Sequence, residues 1–405
     1  KIKSLIIDHH EITKPYPEAN EIINPKKDNG YIEYDYFCAT TLTYFFLDML
    51  IRRTKSEMNL GKYLIYVLLA TVCDVMPLRK LNRLIAINAL KNFDLNKNYA
   101  FNELFKLNKK KNKINIDDLG YLIGPTLNSG GRLGKSSYAT ELLSSENNKT
   151  IKRRVLDLNE LNNRRKKIET LTLNQINFQE IEKKNEPIIF YYNPNINEGL
   201  LGIIAARLKD FFNKPSIVIT KSNNLLKSSA RSIFDYNIGR AIRNSKLKEI
   251  ILNGGGHNMA AGFTLKKEKL PIFKKFIFDD FSDSCISLKS SFEYDFEISS
   301  NAFSGIFFNE INKISPFGNG NPLPKFHIKD LKVIKSSIIK KKYISCVLKS
   351  KTNVSINSIF FDSLNSKIGE YLLNYKKNFS VIGQINQNFW NNKKTLQLII
   401  KDLIL

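Results

Sequence analysis

Long apolar runs are missing from this 405-residue chain, and no stretch approaches the length and uniform apolarity of a membrane span. Cysteine is rare: Cys38, Cys73, Cys285 and Cys346 lie far apart with no paired spacing. That scatter argues against a zinc module and a disulfide framework, and it suits a reducing cytoplasm. Residues 1–7 lack the long apolar region and small-residue cleavage site of a signal peptide, so they read as a buried strand. With no initiating Met, the expectation is a chain that begins partway through a domain. Acidic side chains are also scarce, 38 against 63 Lys+Arg, which leaves a net charge of +25. Such an excess favours a polyanionic partner, because each phosphate contact releases condensed counterions. Coding biased toward A and T enriches Lys, Asn and Ile in the same way, so charge alone leaves a merely solvated surface as an equal reading. Apolar residues reach 42% and aromatics 11%, enough to fill the two or three cores expected at this length.

The first part of the chain alternates apolar runs with helical patterns, the mark of an α/β layer. Residues 5–7 read as a strand and 40–52, 60–72 and 84–93 as helices, with a Lys-rich loop at 108–115. From 150 to 184 a charged stretch without Gly or Pro carries Ile151, Val155, Leu158, Leu161, Ile168, Leu171 and Leu173 at helical spacing, which predicts one long amphipathic connecting helix. A second α/β unit follows, with strands at 188–192 and 216–220 and helices near 201–212 and 273–281. Beyond about residue 290 the pattern changes to short strands, at 292–298, 326–334, 343–348, 356–361, 381–385 and 395–400. That succession predicts a small β-barrel, with an OB-fold as the natural candidate on a basic chain.

Several constellations carry chemistry. Asp8-His9-His10 follows directly on the first strand, where groups past the carboxyl end of a strand face the ligand crevice. A carboxylate beside two imidazoles there suits a divalent metal such as Mn²⁺. The alternative is a surface tripeptide without a role; what weighs against it is that two of only four histidines sit here. Asp74 ends a long apolar helix, where the dipole disfavours negative charge unless a cation compensates; a simple turn residue is the plainer reading of that position alone. The segment GPTLNSGGRLG at 124–134 reads as a Gly-rich loop with Asn128 and Arg132, fit to hold a phosphate, or else as a structural turn. Ser229, Arg231 and Ser232 lie in SSARS, and Gly255, Gly256 and His257 in NGGGHNMAAG. The latter reads as a loop opening onto a helix N-terminus, a ready anion site, although small residues equally serve tight packing.

In this order, these segments resemble the RecJ-type exonucleases of the DHH phosphoesterase superfamily. Asp8-His9-His10 resembles the DHH signature, ATVCDVMPL the acidic motif at Asp74, and GPTLNSGGRLG the Asn/Arg loop. SSARS and GGGHNMAAG resemble the motifs of the DHH-associated domain. PFGNGNPLPKF at 316–326 resembles the entry to the OB-fold, and TLQLIIKDL its last strand. The resemblance covers essentially the whole chain. It implies a partial DHH parallel-sheet domain at 1–149, a connecting helix at 150–185, a smaller DHH-associated α/β domain at 186–288 and a C-terminal OB-fold β-barrel at 289–405. It implies His9 and Asp74 as ligands of a Mn²⁺ or Mg²⁺ centre, Asp8 and His10 as their catalytic neighbours, and Asn128, Arg132, Ser229, Arg231, Ser232, Gly255, Gly256 and His257 around substrate phosphates.

The activity so implied is two-metal, 5′→3′ hydrolysis of single-stranded DNA to 5′-mononucleotides in repair and recombination, by a cytoplasmic monomer. A helicase and a single-strand-binding protein are the protein partners it suggests, with no membrane association. One departure matters. The family's earlier acidic motifs do not precede Asp8, so four candidate ligands stand where two ions need several bridging carboxylates, and the chain as given is expected to show little or no nuclease activity. Two other readings follow: a non-catalytic single-strand DNA-binding protein, and a DHH phosphoesterase for short oligonucleotides or cyclic dinucleotides. The β-rich C-terminal region argues against the last.

Overall fold

The apolar run Leu5–Ile7 forms β1 and pairs in parallel with β2 (Glu21–Ile23), Leu5 standing opposite Glu21. The computed structural model describes residues 2–12, 14–27, 32–110, 113–284, 293–340, 343–361, 366–374, 377–390 and 393–405. The expectations at Cys285 and Phe292 and the boundary at 288/289 fall outside these residues. The chain divides into two compact units, Lys1–Asp74 with Asn88–Leu288, and Val75–Ile87 with Lys289–Leu405.

A parallel strand pair needs its faces covered. In the first unit α1 (Ala39–Thr54) packs on β1. The nearly all-apolar α2 (Leu64–Cys73) buries Ile65, Val67, Leu68, Leu69 and Thr71. The helix α3 (Lys80–Asn92) begins in the segment assigned to the second unit. A helix not expected from the sequence, α4 (Tyr99–Leu107), is capped by Asn98, whose side chain accepts the Phe101 N–H at 3.1 Å. Among the described residues no helix is long and apolar enough to cross a membrane.

The glycine-rich segment at 124–134 is a helix, not a loop: α5 (Gly124–Arg132) starts with Pro125 in its first turn. Its glycines serve close approach. A Cβ at Gly124 would lie 2.6 Å from Cys73 Sγ, and one at Gly130 would lie 2.6 Å from the Lys135 carbonyl and 3.1 Å from Leu158. Within this segment only Gly134, just past the helix, has a positive φ, of 79°. After α6 (Ser137–Ser144), the expected single connecting helix is two: α7 (Asn148–Asn174) and α8 (Phe178–Lys184). Asn177 breaks them by capping α8, accepting the Glu180 N–H at 3.1 Å. On α7 the buried stripe begins with Ile151, Val155 and Leu158 and continues through polar Asn162, Arg165, Glu169 and Thr172, while Leu171 is exposed. Hydrophobic periodicity alone does not follow that switch.

The second α/β part of this unit is a five-stranded sheet of order β3 (Ile189–Tyr192), β4 (Ser216–Ser222), β5 (Leu225–Arg231), β7 (Ala260–Leu265), β6 (Asn253–His257). β3 and β4 are parallel and the remaining pairs antiparallel. The period of two is visible on β4. Val218 packs with α9 (Leu201–Phe212), whereas Ile217 and Ile219 join Phe263, Ile242 of α10 (Ile238–Leu247) and Phe273 of α11 (Leu270–Asp283). The NGGGH segment is therefore the strand β6, hairpinned to β7 with Gly255 opposite Gly262, and not a loop opening onto a helix. Its glycines admit α10, since a Cβ on Gly254 would meet Ile242 at 2.9 Å.

In the second unit, β8 (Phe296–Ile298) and α12 (Gly305–Asn312) precede a barrel of β9 (Phe326–Ile339), β10 (Tyr343–Ser350), β11 (Ser355–Phe360), β12 (Phe379–Trp390) and β13 (Lys393–Ile404). The order β10-β11-β13-β12-β9, closed by β9 with β10 and with β11 parallel to β13, is that of an OB-fold. Its helix, α13 (Lys367–Asn374), lies between β11 and β12 in sequence. Ile328, Leu331, Ile344, Leu348, Ile356, Val381, Ile385 and Leu398, all fully buried, fill it.

Gly130→Ala is expected to lower the stability of the first unit by about 1–3 kcal/mol, because the added methyl meets backbone that cannot yield. Thermal denaturation checks this, and an unchanged melting temperature would contradict the close packing of α5.

Candidate metal centre and phosphate site

The two parallel strands deliver their carboxyl ends to one edge. The ladder runs one bond past β1, with the Asp8 N–H donating to the Ile23 carbonyl at 3.0 Å. Asn24, directly after β2, donates to the His10 carbonyl at 2.9 Å while its own oxygen accepts the Lys26 N–H at 2.9 Å. Those bonds hold the Asp8-His9-His10 turn. His10 Nδ1 lies 2.7 Å from Asp8 Oδ1. His9 is buried, at 8% exposure, and its Nδ1 accepts the N–H of Ala39, the first residue of α1, at 3.2 Å. That bond orients the ring so that Nε2 stands 3.9 Å from Asp74 Oδ2 at the end of α2.

Electrostatics favour the uncharged His9 ring and the ionised Asp8 carboxyl. Burial chiefly, and the neighbouring His10, hold the His9 imidazole below its ordinary pKa, so it is neutral. For Asp8, burial pushes upward but is outweighed by the hydrogen bond from His10 and by backbone donors, so its carboxyl sits below the usual range. One donor atom from each of Asp8, His9 and His10 lies within 4.8 Å of the others. A carboxylate and two imidazoles at this spacing, with Asp74 next to His9, fit a divalent ion of the Mn²⁺ type.

His257, at the end of β6, brings the second α/β part to the same place: its ring stacks on His10 with centroids 6.0 Å apart and planes at 23°. Burial, followed by the charge of Lys26, holds it below its ordinary pKa. Lys26 in turn pairs with Glu11 at 3.3 Å.

A second cluster is cationic. Arg132, the last residue of α5, donates to the Gly199 carbonyl at 3.0 Å. Arg231, at the end of β5, donates to the Ala230 carbonyl at 2.8 Å and to Ser229 Oγ at 3.3 Å. A Cβ on Gly202, in the first turn of α9, would lie 2.7 Å from the Arg231 guanidinium and 3.2 Å from Ser229 Oγ. Ser229, Arg231 and a helix N-terminus therefore converge. Burial first lowers the pKa of both arginines; the next cause is a like charge, Arg165 for Arg132 and Arg132 for Arg231. The nearby acid, Glu169, is already committed to Arg165 and Arg207, each at 2.9 Å. Among the described residues neither Arg132 nor Arg231 makes an ion pair, and the cluster has the donors to accept an anion.

The remaining expected residues are spread out. Ser232 is 1% exposed, and its hydroxyl donates to the Tyr236 carbonyl at 2.7 Å, bracing the turn between β5 and α10. The Gly256 carbonyl accepts from Arg243 at 3.0 Å. Gly255 faces open space, and Asn128 is exposed on α5, one turn before Arg132. Among the described residues no hydrogen bond or ring contact ties Asn128 or Gly255 to either cluster. Sequence reasoning missed Asn24, Lys26 and Glu11. The available signal was the short apolar run before Asn24, which is β2 and ends beside β1.

With this geometry in place, the comparisons are specific. Residues 185–283 match the DHHA1 domain and residues 294–402 the RecJ OB domain. The chain is 26% identical over 98% of its length to the single-stranded-DNA-specific exonuclease RecJ of Bacillus subtilis, of which it spans 50%. It is 28% identical to the Haemophilus influenzae protein of the same name, of which it spans 73%. The fold superimposes on RecJ from Thermus thermophilus in complex with Mn²⁺, with a TM-score of 0.81 at 20% identity over 99% of this chain and 58% of that one. The same protein in complex with Mg²⁺ gives a TM-score of 0.71, over 88% of this chain and 54% of that one. With DHHA1 and RecJ OB domains in this order, the chain is similar to RecJ single-stranded-DNA exonucleases along nearly its whole length.

Proposed function

We propose that this chain forms the core of a metal-dependent 5′→3′ exonuclease on single-stranded DNA, which removes 5′-mononucleotides during repair and recombination. The observation that carries this reading is the convergence in one unit of the Asp8-His9-His10 cluster, its partner His257, and the uncompensated Arg132–Arg231 pair. Asp8, His9, His10 and Asp74 would hold Mn²⁺ or Mg²⁺. An ion held there would supply water activation and charge stabilisation of the leaving oxygen in an in-line displacement. Arg132, Arg231 and Ser229 fix a phosphate by bidentate and hydroxyl hydrogen bonds, while His257 stacks on His10 and orients it. In the second unit, exposed Ile334 and Ile338 on β9, beside exposed Lys332 and Lys335, and the edge-to-face pair of Tyr343 with exposed Phe361 support a strand-tracking role through charge and stacking.

A second reading, strand binding without hydrolysis, is favoured by one observation: of the four donors around His9, only Asp8 and Asp74 are carboxylates. Two closely spaced ions need more bridging negative charge than that.

His9→Ala and Asp74→Ala are expected to cut Mn²⁺-dependent release of mononucleotides from a 5′-labelled oligonucleotide by at least about 100-fold, the upper end of what a group merely supporting a ligand costs. Binding of the oligonucleotide should be preserved. Release at the original rate by both variants would remove these residues from the centre; tight binding with no release by the unsubstituted chain at any Mn²⁺ concentration would leave the second reading. Arg231→Ala should weaken oligonucleotide binding whatever the sequence and reduce its logarithmic salt slope by about 1.

The lowered pKa values of His9 and His257 also predict a pH dependence. Below the ordinary imidazole value the unfolded chain takes up protons that these two rings refuse, so stability falls as pH drops from about 6.5, the reference value. NMR titration of the ring protons should place both below a free imidazole, and a ring titrating above it would contradict the burial described.

A further inference from the structure

The two faces of α7 differ in kind. Its inner face is fastened to α5: Ser129 Oγ donates to the Leu158 carbonyl at 3.0 Å, and Asn162 Nδ2 donates to Thr126 Oγ1 at 3.3 Å. Charges close to that face are matched locally. Arg154 lies over the Tyr138 ring at 3.9 Å and pairs with Glu141 at 2.6 Å and Asp157 at 2.7 Å, while Arg165 pairs with Glu169. All of these residues belong to the first unit.

The outer face carries Lys149, Lys152, Arg153, Arg164 and Lys167, all exposed. At about 3.6 residues per turn, each of the last four returns to within ~60° of the direction of Lys149, so the five form one stripe. Among the described residues none of the five makes an ion pair. Arg153 feels the charge of Glu141, but Arg154 already holds that carboxylate, and Glu160, exposed between the two groups of cations, pairs with neither. Lys149 and Arg153 stand four residues apart, a like-charge spacing that weakens an isolated helix, so helix stability does not account for them.

The spacing selects a partner. Arg153 and Arg164 are eleven residues apart, about 16 Å along the axis at ~1.5 Å per residue. Five base pairs of B-form DNA rise by about 17 Å, at ~3.4 Å each. A duplex is stiff on that scale and offers its phosphates at fixed intervals, as a helix offers its side chains. A single strand would instead need platforms for its bases. The sequence of α7 contains no Phe, Tyr or Trp, and its exposed Leu156 and Leu171 offer no ring.

We propose that the outer face of α7 is a duplex-binding surface, which holds the phosphate backbone of a double-stranded region next to the single strand being degraded. The proposal rests on the reading of the chain as a nuclease of single-stranded DNA. The stripe lies across the helix from α5, and so apart from the Arg132–Arg231 cluster. A 5′-tailed duplex then has two sites on this unit, one for its end and one for its paired region.

The test is fluorescence anisotropy of the full chain without divalent metal, over a range of salt, with a 5′-tailed hairpin and with the tail alone. The hairpin should bind more tightly than the tail and with a steeper logarithmic salt slope. Lys152→Gln, Arg153→Gln, Arg164→Gln and Lys167→Gln together should abolish that gain and reduce the slope by about 3–4, at ~0.9 per duplex phosphate, while the tail alone binds as before. Lys152→Arg with Lys167→Arg, which keeps the charge, should keep the gain. If the fourfold variant melts early, Lys152→Gln with Lys167→Gln is measured instead, with a slope change of about 2. An unchanged slope on the hairpin, or an equal loss on the tail, overturns the proposal. So does loss of polyglutamate binding in the variant with no effect on the hairpin, which would assign the stripe to an acidic protein. Binding of the tail with no gain from the duplex sinks this inference alone, whereas an unsubstituted chain that binds neither DNA takes the nuclease reading down with it.

Discussion

At the carboxyl edge of β1 and β2 two chain segments leave the sheet side by side, and the bond from the Asn24 side chain to the His10 carbonyl makes them one object. Everything else in the centre is referenced to that edge. The imidazole of His9 is turned by the first N–H of α1, and Asp74 arrives from the end of α2. His257 closes over His10 from the hairpin of the second sheet. A parallel pair suits this arrangement, since both strands finish on the same side and their exits can share hydrogen bonds, whereas an antiparallel pair would send them to opposite edges.

The charge distribution follows a similar economy. Glu169, buried on α7, takes two guanidinium partners, Arg165 and Arg207, and so satisfies the cations that join α7 to α9. Arg132 and Arg231 have their pKa values depressed chiefly by burial, and Arg231 also by the charge of Arg132. Like charges held out of water are relieved by an anion, which is the chemistry that the proposed phosphate site would use. The +25 net charge of the chain says little about this, because most lysines are surface groups, whereas this pair is set by its placement.

The parts of this architecture that were legible in the sequence are those in which one residue type has one physical meaning. Apolar periodicity gave α1, α2, β3, β4 and the barrel strands, and the adjacency of two scarce histidines after a strand gave the Asp8-His9-His10 group, whose donor atoms do lie together. Glycine has two meanings, and there the reading failed. Both glycine-rich segments were read as phosphate loops, yet α5 is a helix and β6 a strand, and their glycines admit a neighbouring element at short range. The buried face of α7 was misjudged for a related reason: Asn162, Arg165 and Glu169 are buried as a hydrogen-bonded chain running on to Arg207, a pattern that hydropathy cannot register. Asn24 escaped because β2 is three residues long.

The parallel pairing of β11 with β13 carries a consequence for how the barrel is made. β13 lies between β11 and β12, so those two strands have no partner on that side until residues 393–404 exist. A growing polypeptide therefore displays open strand edges throughout synthesis of the barrel, and closure is postponed to its last strand. Any break before residue 393 would leave those edges exposed as a template for pairing with other chains. Aggregation of a shortened barrel would then report the loss of its keystone, even with every core residue upstream intact.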